Sequence, residues 1–301
     1  MNAYTTKNHL MPTTARAVKT ALSEPLDGTD LSIGSGFTAK SFTAQNMATQ
    51  MDPLVMVDHY VMTAPTFGAH PHAGMSAVTV LFEDSTGLFH NRDSLGNEFD
   101  LRPGDVYWLS AGRGAIHDEY PLMNARTHGL QVFVNVAQHR RFDAPTSLLV
   151  RAEDMPVIST SDYSVKVALG ESHGVHGAAS PATPMTLLVG KLQQGGQFAH
   201  TSASDRGIWI QSVDGDLDIT VDNTKRRLTS GQALAVATDS QTQITIRGLS
   251  HSPTQFALFD GERIDEAYVQ EGPFVMGSQQ QIEDIKAAYA AGELGSLTGN
   301  R

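Results

Sequence analysis

The sequence predicts an all-β protein: two tandem β-barrel domains followed by one C-terminal amphipathic helix. Three observations carry this reading. At 301 residues the chain exceeds what one core usually organises, so two domains of roughly 100–150 residues are the natural division. Short β-prone runs alternate with turn signals in both halves, where a βαβ protein would alternate strands with helices. Only the tail changes to helical spacing.

In the first half, residues 31–150, the turn signals are GSGF, the MDP at Met51 to Pro53, DSTG, DSLGN, RPGD and AGRG. DSLGN makes a tight hairpin turn in which glycine supplies the positive φ, and RPGD makes another just before the apolar run VYWLS. Tyr107 and Trp108 alternate along that run, so one of them faces the barrel interior as a packing residue. Pro, Ser, Gly and Ala then become frequent, and GESHGVHGAASPATP reads as part of a linker or long connection set at 151–183. The strand rhythm resumes over 184–262 with MTLLVGKL, GIWIQSV, LDITV, ALAVA, QITIRG and FALF, broken by turns at DGD and DNTK. That is a second barrel of similar size.

The final segment, 263–301, carries a capping box in Ser278 and Gln281, with Ile282, Ile285, Ala288 and Tyr289 on one face. A helix from about Gln279 to Ala291, stopped at Gly292, is expected, its apolar stripe serving core packing. Residues 1–30 are polar and without pattern, so a flexible arm is expected.

Composition excludes several function classes. With 21 basic against 32 acidic residues, a net charge of −11 and no basic block, direct binding to nucleic acid is not expected. The longest apolar runs, such as Leu130 to Ala137, are strand-sized and far short of the roughly 20 residues of a membrane helix. The opening MNAYTTKNHLMPTTARAVKT lacks the apolar core of a secretory signal, which places the protein in the cytoplasm as an expectation. Cysteine is absent, so disulfides and thiolate chemistry are excluded and any metal must sit on nitrogen and oxygen.

Of twelve histidines, seven lie between His59 and His139. His70 and His72 are two residues apart, and on a strand side chains at i and i+2 leave the same face. His117 and Glu119 repeat that spacing, with Asp118 pointing the other way. Two neighbouring strands with two inward ligands each would surround one side of a cation and leave the other open, which is the arrangement of catalytic and not structural sites. Three imidazoles and a carboxylate suit one divalent Fe, Mn, Ni, Co, Cu or Zn ion per chain.

DPLVMVDHYVM, AHPHAGMSAVTVLFE and HNRDSLGNEFDLRPGDVYWLSAGRGAIHDEYP resemble the N-terminal domain of the pirin family, within the cupin superfamily, and YVQEGPFVMGSQQQIEDIKAAYAAGELG resembles its C-terminal segment. The resemblance implies a bicupin whose first barrel binds metal, often iron, through His70, His72, His117 and Glu119. It also implies two functions. One is a quercetin 2,3-dioxygenase-like oxidoreductase taking a small aromatic substrate and O2, with Glu119 as the catalytic proton acceptor. The other is a non-enzymatic regulatory module acting through a protein partner. One departure is Ser76, where the family commonly keeps an acidic residue four positions after the second histidine.

Other histidines carry blander expectations. His200 stands alone in GGQFAHTSASD and reads as surface or structural, as do His173 and His176 in the connection. His59 and His90 read as structural, or as hydrogen-bond supports for a ligand. Arg113 in the AGRG turn reads as a solvated turn residue with a secondary chance of meeting an anionic substrate.

Overall fold

A computed structural model describes residues 9–11, 20–44 and 51–297. The first barrel is a seven-stranded sheet facing a four-stranded one. The large sheet runs in the order Thr146–Val150, Val106–Ser110, Met75–Leu81, Thr127–Asn135, Leu54–Met62, Phe37–Thr43 and Thr29–Ile33. The small sheet runs His70–His72, Ala115–Pro121, Phe89–Asp93 and Glu98–Leu101. The second barrel repeats this division into seven and four strands. The expected pair of barrels is present.

The linker and the arm differ from expectation. Val157–Ser159 and Tyr163–Leu169, inside the expected linker, pair with each other, and the second joins Met185–Leu192 in the large sheet of the second barrel. At the other edge of that sheet Ala21–Leu22 pairs with Ala233–Thr238, and Leu26 bridges Ala233. Residues 21–26 are therefore laid on the second barrel, and Thr29 and Asp30 begin an edge strand of the first, where an arm was expected. His9–Met11 pairs with Tyr268–Glu271, and the rest of the first 19 residues lie outside the described residues. Polar composition was a poor guide here because edge strands need few apolar side chains when backbone hydrogen bonds hold them.

The barrels meet through the outer faces of their large sheets. Val57, Val78, Val80, Phe82, Trp108, Leu130 and Val132 of the first pack in one cluster with Leu169, Leu187, Trp209, Ala235 and Phe259 of the second. This explains why MSAVTVL is buried at every position: alternate residues face the barrel interior and the seam. Tyr107 turns inward and Trp108 enters the seam, as alternation requires. At the rim of the seam Glu83 pairs with Lys166 at 2.8 Å and with Lys191.

The tail crosses back to the first barrel. Phe274–Met276 pairs with Tyr268–Glu271, and the Val275 N–H donates to the Ala73 carbonyl at 3.0 Å. The helix Gln279–Ala290 follows. Ser278 accepts from the Gln281 N–H, and Gly292, at φ +78°, ends the segment. Buried Ile282 and Ile285 pack with Ala73, Phe274 and Leu294, and Ile116 touches this cluster. The strap therefore covers the strands that carry His70, His72 and His117. No described helix is long and apolar enough to cross a membrane.

Candidate metal centre

The register of the small sheet brings the two ligand pairs together. Ala115–Pro121 runs antiparallel to His70–His72 with His117 directly opposite His70, so three imidazoles share one face of adjacent strands. The turn that feeds this strand needs glycine at 114, where φ is +134° and an added Cβ would lie 2.3 Å from the Leu294 side chain.

His117 Nε2 lies 3.0 Å from His72 Nε2 and 3.1 Å from His70 Nε2. These nitrogens converge on one point. Ligands at right angles about 2.1 Å from a common ion sit about 3.0 Å apart, so the spacing fits a divalent cation. The alternative is unfavourable, because at most one proton can lie between each pair of nitrogens, leaving a buried lone pair unsatisfied. His70 Nδ1–H donates to the Gly68 carbonyl at 2.8 Å, which fixes the tautomer with its Nε2 lone pair inward. Nδ1 of His72 and of His117 are buried without a hydrogen-bond partner. Burial lowers the pKa of all three rings. For His72 and His117 neighbouring imidazoles push further, and the Pro273 carbonyl on the strap weakly opposes the shift at His72. The rings are thus held neutral, the form that binds metal.

Glu119 does not join the three nitrogens. Among the described residues the converging group comprises His70, His72 and His117. The Glu119 carboxylate instead accepts from Thr79 Oγ1, at 3.0 Å to Oε1 and 2.9 Å to Oε2, and its Oε2 lies 3.8 Å from His117 Nδ1. The expected fourth ligand, Glu119, thus lines the same pocket as the three imidazoles and is hydrogen-bonded there to Thr79. Alternation put Glu119 on the inner face, as expected, within hydrogen-bond reach of a hydroxyl on the opposite sheet. Burial raises the Glu119 carboxyl to about 8, against the lowering effect of the Thr79 hydrogen bond.

The three histidines and Glu119 lie in a pocket of about 430 Å³, counting its mouth. Phe37, Phe67, Phe89 and Phe133 are among its walls, with Tyr60 and Gln131. These wall residues are scattered over four strands and one loop and carry no motif, so spacing could not reveal them. Thr79 was equally hidden within an apolar strand. Ser76, the departure from the family pattern, shares the outer face of its strand with Val78 and Val80 and so is turned to the seam and away from the pocket. Arg113 is exposed and is not part of the pocket lining.

The remaining histidines have other partners. His59 Nε2 and His128 Nε2 are 2.8 Å apart with ring centroids at 5.0 Å and planes 26° apart, a head-to-head pair sharing one proton. His128 Nδ1–H donates to Asp84 at 2.8 Å. His90 Nδ1–H donates to Asp100 at 2.8 Å. Neither His59 nor His90 touches a metal-site residue in these bonds. His200 is buried in the second barrel, bonded to Asp260 at 2.9 Å and Ser172 at 3.1 Å, a structural role. His173 bonds the Ala199 carbonyl, and His176 faces Glu171 at 3.5 Å. A larger cleft of about 790 Å³ at the domain junction includes Arg140 and Arg263, but aspartates pair with both.

Comparison with known proteins agrees with this architecture. The pirin family matches residues 31–134, and the pirin C-terminal cupin domain matches residues 187–295. Pirin of Rattus norvegicus is 29% identical across 78% of this chain and 79% of its own length. A pirin-like protein of Solanum lycopersicum is 27% identical across 87% and 88%. Among solved structures, a quercetin 2,3-dioxygenase from Acinetobacter baumannii superposes with a TM-score of 0.78 at 22% identity, covering 92% of this chain and 97% of that one. The bacterial pirin YhhW from Escherichia coli, in complex with nickel(II), gives 0.60 at 22%, covering 80% and 98%. These neighbours share the bicupin fold, and the matches across both barrels show that this chain belongs to the pirin family.

Proposed function

We propose that this chain is a metal-dependent dioxygenase that binds a small aromatic substrate and O2 in the first barrel and opens the ring of quercetin-like flavonols. The observation that carries this reading is the convergence of three imidazole Nε2 atoms in a pocket walled by aromatic rings. Iron is the metal this reading favours. The nickel in the E. coli pirin structure shows that the family scaffold accepts another divalent ion.

His70, His72 and His117 would hold the metal through Nε2, leaving its remaining positions to face the pocket. When bound, the metal supplies Lewis-acid stabilisation of a substrate oxyanion. The residues of the chain do the rest. Phe37, Phe67, Phe89 and Phe133 offer edges and faces against which a planar ring can pack. Their apolar surface also limits water at the site. Burial raises the Glu119 carboxyl to about 8, and a divalent cation beside it would favour the ionised form, which would take the substrate hydroxyl proton at a carboxylate oxygen. Tyr60 packs near-parallel to Phe37 with ring centroids at 5.7 Å, fixing that wall.

Oxygen uptake with quercetin, measured on iron-loaded protein, tests the reading. Uptake that follows metal content and disappears in Glu119→Gln supports it. Stoichiometric metal without uptake contradicts it.

A further inference from the structure

We propose that Arg141 holds a small monovalent anion, of the size of chloride, at the root of the C-terminal strap, and that this ion ties the strap to the first barrel. The inference stands apart from the metal centre and from the chemistry proposed there.

Three observations support it. The first is a buried charge with no counter-charge in contact. Arg141 follows the short 3-10 turn Gln138–Arg140 and is 0% exposed. Its Nε–H donates to the Val136 carbonyl at 3.0 Å and its Nη2–H to Asn135 Oδ1 at 3.1 Å, and both acceptors are neutral. Among the described residues it makes no ion pair: Glu266, the acid that acts on it through space, has its Oε2 on the Gln138 N–H at 2.6 Å. Burial lowers the pKa of the guanidinium, yet arginine stays charged in proteins. A buried charge is costly unless it is paired.

The second is an unspent donor. Nη1 of Arg141 is buried without a hydrogen-bond partner, and so is Nδ2 of Asn135, whose Oδ1 takes the Nη2–H. Water would satisfy these donors, but only an anion also answers the charge. One guanidinium calls for one negative charge.

The third is what lies over Nη1. A Cβ built on Gly277, just before the helix Gln279–Ala290, would lie 3.4 Å from Nη1, 3.2 Å from Gln138 Nε2 and 3.2 Å from Gln281 Oε1. Gln281 Oε1 already accepts the Gly277 N–H at 2.9 Å, so Arg141 and Gln138 are the donors that face this point. The strap thus crosses the guanidinium with a residue that has no side chain to cover it. An ion held between Arg141 and the strap leaves only when the strap opens, so its binding keeps the strap closed.

The test compares full-length protein in sodium chloride and in sodium gluconate, whose anion is too large for the site, at an equal ionic strength of about 0.2 M. Hydrogen exchange is read by segment, and crystals grown in sodium bromide are measured for anomalous scattering. The proposal predicts a bromide peak in contact with Arg141 Nη1, and exchange in 273–295 slower by about tenfold in chloride, as for an ion at about ten times its dissociation constant. Both effects should be lost in Arg141→Met and weakened in Gly277→Ala, whose methyl crowds Nη1. Equal exchange in the two salts would overturn the proposal even with a bromide peak, which would then mark an adventitious ion only. A chloride effect spread evenly over both barrels, or one that survives in Arg141→Met, would overturn it too. Where Arg141→Met does not fold, the comparison of native protein with Gly277→Ala decides, and an equal chloride effect in these two would sink the idea.

Discussion

The two barrels share a strand plan and differ in what fills them. The first encloses three converging histidines, Glu119, Thr79 and a pocket. Buried polar atoms without a hydrogen-bond partner occur in both, on Tyr60 and His117 in the first and on Trp209 and Gln211 in the second. The second is plugged by Phe198, Ile208, Ile210, Ile219, Ile244, Ile246, Phe256 and Leu258, all 0–1% exposed. Its one comparable histidine, His200, is tied to Asp260, which is itself clamped by Arg206 at 2.7 Å. The same scaffold thus keeps a pocket with converging imidazoles in one copy and a packed apolar interior in the other.

Core truncation should expose this difference most strongly. Phe198→Ala in the filled barrel is expected to cost about 3–5 kcal/mol in urea unfolding and leave metal content per folded chain unchanged. Phe67→Ala is expected to cost about 1 kcal/mol, because that ring is half-buried against the pocket. Equal losses would mean that the two interiors are packed alike.

Acid should act at the seam. His59 is pushed down to about 4, first by burial and then by His128, with Asp84 opposing. An unfolded chain takes up a proton there near pH 6.5, whereas the folded one resists until about 4, so stability falls as pH drops through that window. The loss amounts to about 3 kcal/mol and is complete near pH 4. His59→Asn should show a shallower decline between pH 6.5 and 4. An unchanged slope would take the histidine pair out of the account.

The strap offers a smaller and more local test. At Gly74, φ is +70° and an added Cβ would sit 1.9 Å from the Val275 carbonyl oxygen. Gly74→Ala should cost about 1–3 kcal/mol and raise hydrogen exchange in 273–295 first, with weaker metal retention following because Pro273 flanks His72. Uniform exchange across both barrels would show that the tail is not specific to the first.

Much of this was legible from residue order. Alternation placed His70, His72, His117 and Glu119 inward because strand geometry is strict, and Ser278 with Gln281 marked a helix start because unpaired N–H groups must be capped. What stayed hidden depended on partners distant in sequence. Nothing around Thr79 distinguishes a pocket hydroxyl from a neutral filler in MSAVTVL. The pairing of Ala21–Leu22 with the second barrel depends on a neighbour over 200 residues away, and the Ser76 departure mattered little because its face is turned to the seam. Separation of the two interiors was half visible: the missing second histidine after His200 was plain, but the apolar plug was known only once the strands were assembled.

The most direct test of the central claim is metal content per chain, by elemental analysis after iron loading and desalting, for native protein, the His72→Ala, His117→Ala pair and His200→Ala. The account predicts about one ion, almost none and about one, since the converging histidines lie in the first barrel. Equal metal in native protein and the double variant, or its loss in His200→Ala with the fold intact, would contradict it.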